Sequence, residues 1–500
     1  MSEATQYVTS REDFKKAGES EIKLKRYDSL INPKRERIKR VKLDPKMLEL
    51  IKQFAKDPEE VDYIVEYLES QHYGCRRVPE HLEVAIETFK GYHVPSFAWN
   101  RNFRRALIDA ERHFNPRRKI FKPERSNTLD QITELFPRKD THAGYAYWLF
   151  DKKHKGEYLE EWFVEYLHEL QEEAILHGTF NLPILIGIRL QQSGAFDDEG
   201  NETPEKIKFK ERMVNMIDLI LIATEAMFSK PIQELFGESR SYAGGKDPNY
   251  LEQIIYNMRS KYPYWLSLDY SRYDQSIPGW LIQECFNIIK SWFKLNENEE
   301  KLFDVVVHDF INKSIVWRDG ELVYVHDGVP SGSMFTQIID TLANYIMIRT
   351  YSYAKSTSAE GMQFECNICG DDNLIFHRGD IVKEDLCNYI HKNFGIEAHP
   401  DKCSEGSRKQ DPEYLSRTWK SLGIYREPKS LVSKMLYAER YRDYKKNKDL
   451  DPVLIFYSYY LAYNLGMKEF FDMDRFFAIY GHKLVDIPAR RVENTSGFFN

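Results

Sequence analysis

The chain has 500 residues, room for about three domains at roughly 150 residues each, and its 71 Lys and Arg against 78 Asp and Glu leave a net charge of −7. With 42% hydrophobic and 30% charged residues the composition is that of a globular protein, which excludes a disordered, fibrous or collagen-like chain. The acidic balance argues against a simple basic coat for nucleic acid but leaves room for a basic channel inside an acidic body. Eight Trp, 32 Tyr and 30 Phe supply a large aromatic core. The six cysteines (Cys75, Cys285, Cys366, Cys369, Cys387, Cys403) are too few for a disulfide framework and read as reduced thiols. The first residues lack the apolar stretch of a signal peptide. No apolar run approaches the ~20 residues of a membrane span, so the chain reads as soluble and intracellular.

Residues 1–45 read as an extended arm. It ends in six basic residues within nine positions: Lys34, Arg35, Arg37, Lys39, Arg40 and Lys42. A solvated surface and an RNA or capsid contact are both open readings of this run. A second basic cluster comprises Arg112, Arg117, Arg118, Lys119, Lys122 and Arg125. Between 46 and 260 the reading is mainly helical, with apolar residues at helical spacing over Met47–Ala55, Val61–Gln71, Glu157–His177 and Met213–Phe228. Within it, Lys206–Arg212 alternates charge with other residues, as a half-exposed strand does. Loops rich in Gly, Asp and Asn occupy Gly194–Pro204 and Gly237–Pro248.

After Pro263 the pattern changes. Tyr264–Asp269 reads as a strand, Pro278 and Gly279 open a helix to about Phe293, and Leu322–Val325 is a short strand. Asp327–Gly332 is a loop and Ser333–Tyr351 a long helix with an apolar face. Phe364–Cys369 and Asn373–His377 flank Gly370-Asp371-Asp372 as a hairpin. Val382–Phe394 is a helix stopped by Gly395. Tyr414–Ser421 and Gly423–Arg426 suggest a last small hairpin, and the remainder is helical and rich in Tyr.

Three polar clusters follow one another: Asp269-Tyr270-Ser271-Arg272-Tyr273-Asp274 at a strand end, Ser331-Gly332-Ser333-Met334-Phe335-Thr336 with Asp340, Thr341 and Asn344 on the helix behind it, and Gly370-Asp371-Asp372 at a hairpin tip. Carboxylates delivered by neighbouring strand ends suit phosphoryl transfer. They can share two magnesium ions, which want oxygen ligands and borrow the rest from water and substrate phosphates, and such a pair stabilises both the attacking and the leaving oxygen. Gly370 would let the carboxylates approach without a side chain in the way. Taken singly each cluster has a plain reading, a helix cap or an ordinary turn; their order and spacing together do not.

In this wording the clusters resemble motifs A, B and C of viral RNA-directed RNA polymerases. Asp-Tyr-Ser-Arg-Tyr-Asp-Gln-Ser-Ile-Pro and Gly-Val-Pro-Ser-Gly-Ser-Met-Phe-Thr-Gln-Ile-Ile-Asp are most similar to those of the segmented double-stranded RNA viruses, on the partitivirus side, with the picobirnaviruses next. The resemblance is strongest over 206–425. It implies an α+β right-hand fold, mainly helical overall, whose palm is a small antiparallel sheet backed by helices. It also implies a division into a basic arm (1–45), fingers with a bridge to the thumb (46–260), palm with motif A (261–280), a fingers insertion (281–325), palm with motifs B, C and D (326–415) and thumb (416–500).

The resemblance further implies roles. Asp269 and Asp371 would hold two Mg²⁺, which Mn²⁺ could replace, with the backbone carbonyl of Tyr270 and the lesser partner Asp372. Asp274, Asn344 and Ser331 would read the ribose hydroxyls, with Gly332 and Thr336 supporting. A buried amide is an equal reading of Asn344, and Thr336 reads as packing or bonding to its own helix. Lys210 and Arg212, assisted by Lys208, match motif F and would hold the incoming triphosphate, an Arg suiting bidentate phosphate contact. Lys402, after Gly395–Asp401, matches motif D as proton donor to pyrophosphate; an exposed surface Lys is the rival reading. Tyr414-Leu415-Ser416-Arg417 matches motif E. RNA template and product, NTPs and a capsid protein are the implied partners, with no membrane, inside the virion or the host cytoplasm. A reverse transcriptase and a non-catalytic RNA-binding or capsid-associated protein are the rivals. Other motifs fail: His168-Glu169 lacks the second His of a zinc protease, Gly244-Gly245-Lys246 lacks P-loop spacing, and Cys366 and Cys369, three apart on a strand, point to opposite faces and read as buried thiols.

Overall fold

The computed structural model describes residues 39–40, 42–73, 75–76, 100–136, 139–145, 154–316, 322–438, 442, 444–445 and 450–484. Most of the basic arm and the last residues lie outside these.

The sequence writes many helix starts in one form, an acid followed by Pro. Asp44 opens α1 (Pro45–Phe54) and Asp57 opens α2 (Pro58–Ser70). After α3 (Arg101–Phe114), α4 (Glu161–His177) and α5 (Leu219–Glu238), Asp247 opens α6 (Pro248–Lys261). Then come α7 (Gly279–Ser291), α8 (Glu297–Ile311), α9 (Thr336–Lys355) and α10 (Lys383–Phe394). Glu427 opens α11 (Pro428–Leu436) and Asp451 opens α12 (Pro452–Ala462), before α13 (Asn464–Phe470) and α14 (Met473–Leu484). In each acid–Pro pair the carboxylate accepts free N–H groups of the first turn, while Pro sits where no N–H is needed.

One expected helix begins late. Met213–Met216 belongs to a strand, β2 (Lys208–Met216), paired antiparallel with β1 (Leu185–Ser193) in the register Leu185↔Met216 to Ser193↔Lys208. The helix starts only after Asp218, whose side chain caps Ile220 N–H. Apolar residues on one strand face and on a following helix merged into one periodic run.

The palm sheet combines β3 (Tyr264–Ser267), β6 (Phe364–Cys369), β7 (Asp372–His377) and β8 (Ser404–Ser407). Its order is β8-β3-β7-β6, antiparallel throughout. The hairpin β4 (Lys313–Val316) and β5 (Leu322–Val325) lies outside it, as does the sheet β9 (Glu413–Tyr414), β10 (Arg417–Lys420) and β11 (Gly423–Tyr425). Helices back the palm, as expected, and they cover both faces. Leu266, Ile375, Cys366 and Ile368 enter the larger core with α3, α5, α7, α8 and α9. Trp265, Leu374 and Phe376, one residue out of phase, enter a second core with α1, α2, α6 and the C-terminal helices.

Candidate active site

Motifs A and C meet at one end of the palm sheet. β3 and β7 pair at Leu266↔Ile375, and Leu268 N–H donates to Asn373 Oδ1 at 3.0 Å. The ladder therefore brings Asp269 alongside the hairpin tip, and Asp269, Asp371 and Asp372 are all exposed there. Gly370 has φ +66°, the left-handed turn that glycine adopts without penalty. The nearest atom to a Cβ would be the Gln337 amide at 3.4 Å, ordinary contact. The turn's hand, rather than the close approach expected, is what asks for glycine.

Motif D lies along the other side of motif A. Ser271 N–H donates to Glu397 O at 2.8 Å and His399 N–H to Asp269 O at 3.3 Å, bracketing the pair Tyr270↔Ala398. In such an antiparallel pair the central residue's own groups point away, so the Tyr270 carbonyl faces the hairpin tip, as a metal ligand there requires. Cys403 Sγ accepts Asp269 N–H at 3.3 Å, which sets the exposed Lys402 next to motif A.

Helix α9 holds the site from beneath. Thr341 Oγ1 accepts Gly370 N–H at 3.2 Å. Asn344 is fully buried; its Nδ2 donates to Gly370 O at 2.9 Å and Asp371 O at 3.3 Å, and its Oδ1 accepts the Tyr270 hydroxyl at 3.1 Å. The amide expected at the ribose thus has both donors committed to joining motifs A and C. Asp340, one turn after Thr336, occupies the face toward motif A. Its backbone carbonyl accepts the Tyr273 hydroxyl at 2.9 Å, and Oδ1 is buried with no hydrogen-bond partner among the described residues. Burial first, then the charges of Asp274 and Asp371, hold its carboxyl well above the usual range. The resemblance assigns Asp340 no role; its four-residue step from Thr336 is the signal in the sequence that puts the two on one helix face.

The motif B loop touches both motif A and the strand β2. Val329 N–H donates to Asp274 O at 2.5 Å. Ser331 Oγ accepts Asn215 N–H at 3.0 Å, and a Cβ on Gly332 would stand 2.3 Å from Asn215 O. Thr336 Oγ1 bonds Pro330 O at 2.8 Å and Ser333 O at 2.9 Å, so it ties the loop rather than its own helix. Asn215 closes β2, which carries Lys208, Lys210 and Arg212; those three side chains lie outside the described residues. The strand that bears the expected triphosphate cations therefore ends on the loop expected to face the sugar.

The exposed carboxylates and the carbonyl turned toward them fit magnesium, which keeps waters and takes its remaining oxygens from substrate phosphates. Among the described residues no three His, Cys, Asp or Glu side chains form a protein-only metal cage. Burial pushes the thiols of Cys366 and Cys369 up to about 12, which leaves them inert; Cys366 is buried and Cys369 partly exposed. None of the described helices is long and apolar enough to cross a membrane.

Comparisons place this geometry among known proteins. The profile of the viral RNA-dependent RNA polymerase family matches residues 57–461. The RNA-directed RNA polymerase of Cryptosporidium parvum virus 1 (strain KSU-1) is 29% identical over 161 residues, 32% of this chain and 30% of that protein. The genome polyprotein of Ljunganvirus 1 is 27% identical over 200 residues, 39% of this chain and 8% of the polyprotein. The match thus spans less than a third of each of these relatives. The crystal structure of the RNA-dependent RNA polymerase of a human picobirnavirus superposes with a TM-score of 0.56 at 15% identity, covering 85% of this chain and 80% of that one. The Sicinivirus 3Dpol RNA-dependent RNA polymerase does so at 0.56 and 14%, covering 83% and 89%. The α+β right-hand architecture is common to all three. With the family profile matching more than three-quarters of its length, the chain belongs to the viral RNA-dependent RNA polymerase family.

Proposed function

We propose that this chain is an RNA-directed RNA polymerase, adding nucleotides from NTPs to the 3′-hydroxyl of RNA on an RNA template. The observation that carries this is the convergence of Asp269, the Tyr270 carbonyl and Asp371 at one exposed sheet end, with the motif B loop bonded to motif A through Val329. Asp269 and Asp371 would hold a pair of Mg²⁺, or Mn²⁺, with Asp372 beside them. The ions would supply charge stabilisation for the attacking and leaving oxygens. The chain's own groups do the rest. Lys208, Lys210 and Arg212 bind the triphosphate, and Lys402 delivers a proton to pyrophosphate. Asp274 and the Ser331 hydroxyl, with Asp340 beside them, read the ribose 2′-OH. A site built around that hydroxyl rejects a deoxynucleotide because its polar groups are left unpaired. Asn344 braces the metal-binding ends of motifs A and C.

The wording of motifs A and B supports a finer reading. The enzyme would serve transcription and replication of a double-stranded RNA genome of partitivirus type, inside the particle and beside its capsid protein, with single- and double-stranded RNA as template and product. The division into arm, fingers, palm and thumb given above belongs to this reading. A primed homopolymer template with Mg²⁺ and labelled nucleotides tests it. Incorporation of the complementary NTP is expected. Incorporation of dNTPs alone would turn the reading to a reverse transcriptase, and none of either, with RNA still bound, to a non-catalytic RNA-binding protein.

A further inference from the structure

Glu225 has no part in the roles assigned so far. It lies on α5 in a stretch, residues 219–229, buried on every side, and is itself fully buried. A carboxyl in such a place loses its hydration and persists only where specific groups compensate it. Here they belong to motif B. Glu225 Oε2 accepts the Ser333 hydroxyl and the Met334 N–H, both at 2.8 Å, and Ser333 Oγ in turn accepts Phe335 N–H at 3.0 Å. These N–H groups are the free donors that precede α9, and the carboxyl sits at the positive end of that 20-residue helix.

The loop is held from a second side as well. Ser331 takes Asn215 N–H from the end of β2, and Gly332 lies against Asn215 O with no space for a side chain. Residues 331–334 are thus gripped between a strand and a helix. Among the described residues the charged group bearing on Glu225 is Asp309 of α8, itself bonded to Thr179 and to Phe180 N–H.

We propose that Glu225 is a positioning residue of the motif B loop: through Ser333 and Met334 it fixes the start of α9, and so where Ser331 and Asp340 stand relative to the incoming nucleotide. This rests on the polymerase reading, although Glu225 itself touches no substrate. Glu225→Gln is the informative change. It keeps length and a carbonyl oxygen but, at pH 8 where the carboxylate is ionised, replaces a charge-assisted bond by one about half as strong, and removing a buried charge does not threaten folding.

The experiment compares wild type, Glu225→Gln, Ser333→Ala and the double variant. It measures amide hydrogen exchange, melting temperature and steady-state nucleotide incorporation. Expected for Glu225→Gln is exchange over 331–336 about tenfold faster with α12 unchanged, no fall in melting temperature, and kcat/KM for the NTP down about tenfold with RNA binding unchanged. Ser333→Ala should act in the same direction, and the double variant should be no worse than Glu225→Gln. Unchanged exchange over 331–336 in Glu225→Gln overturns the proposal. So do losses that add in the double variant, or a loss of activity matched by a lower melting temperature and faster exchange throughout. If wild type itself incorporates no nucleotide, the polymerase reading falls, while the exchange measurement still decides whether Glu225 holds the loop.

Discussion

Asp269 and Asp371 stand exposed at the end of a sheet whose interior is sealed on both faces, so replacing either should disturb chemistry without disturbing folding. Asp269→Asn or Asp371→Asn is expected to lower incorporation by at least about 10²–10³-fold, the scale of a lost electrostatic stabiliser, with RNA binding near wild type in a filter assay. Asn344 differs because its amide is spent inside the protein. Asn344→Ala takes the partner from the Gly370 carbonyl and from the Tyr270 hydroxyl, about 1–3 kcal/mol for each unmet buried group, while the Asp371 carbonyl keeps Asn373 Nδ2. Its melting temperature should fall clearly. Asp274→Ala should instead narrow the preference for ATP over dATP in single-nucleotide extension, at nearly unchanged melting temperature. A shifted sugar preference in Asn344→Ala at full stability would return the amide to the ribose.

Glu225 gives a pH prediction at the same scale. Burial, the dominant cause, pushes its carboxyl from the ordinary 4.5 up to about 7, against the bonds from Met334 and Ser333. Between those values the folded chain holds a proton that the unfolded chain has released. The resulting stabilisation is full below about 4.5 and is lost as pH rises through 7. The melting temperature of wild type relative to Glu225→Gln should therefore be higher at pH 5 than at pH 8; equal differences at both would place the carboxyl outside this window.

At the scale of elements, the site is a set of turns locked by backbone contacts, and two glycines separate the reasons for such locks. Gly332→Ala drives a methyl group to 2.3 Å from the Asn215 carbonyl, and backbone on both sides has to move. Gly370→Ala asks only for a left-handed φ, with the Gln337 side chain in ordinary contact beside it, about 1–2 kcal/mol. Gly332→Ala should thus lose activity and more stability, while Gly370→Ala should lose roughly that amount in a denaturant titration and keep part of its activity. The wrongly placed helix start at Met213 belongs to this scale too. A strand face and a helix face join there without a break in hydrophobicity, and only pairing with Leu185–Ser193 separates them.

Across the described residues the first two helices, α1 and α2, share one core with the last four, α11–α14. Asp44, which caps α1, also meets Arg442 at 3.2 Å and the Tyr444 hydroxyl at 2.7 Å, with both charged side chains almost wholly buried. Breaking a buried pair by removing one member costs about 3–5 kcal/mol. Asp44→Ala should therefore lower the melting temperature markedly and speed hydrogen exchange in α1 and α11 together, leaving α7 and α8 as in wild type. Exchange rising in α1 alone would mean that the pair does not join α1 to α11.

The sequence by itself determined whatever depends on neighbours along the chain. The acid–Pro helix starts, the hairpin around Gly370-Asp371-Asp372, the stop at Gly395 and the order of the three polar clusters are all settled within a few residues by capping, turn chemistry and periodicity. Tertiary structure decided which face of an element meets which partner. A helix such as α9 offers Asp340, Thr341 and Asn344 within little more than one turn, and nothing local says which of them looks at motif A and which at the hairpin tip. Packing against Tyr273 and Gly370 does. For the same reason the two-sided palm, Cys403 behind Asp269 and Glu225 beneath motif B were not legible: each joins residues more than a hundred positions apart, through contacts that short-range pattern does not encode.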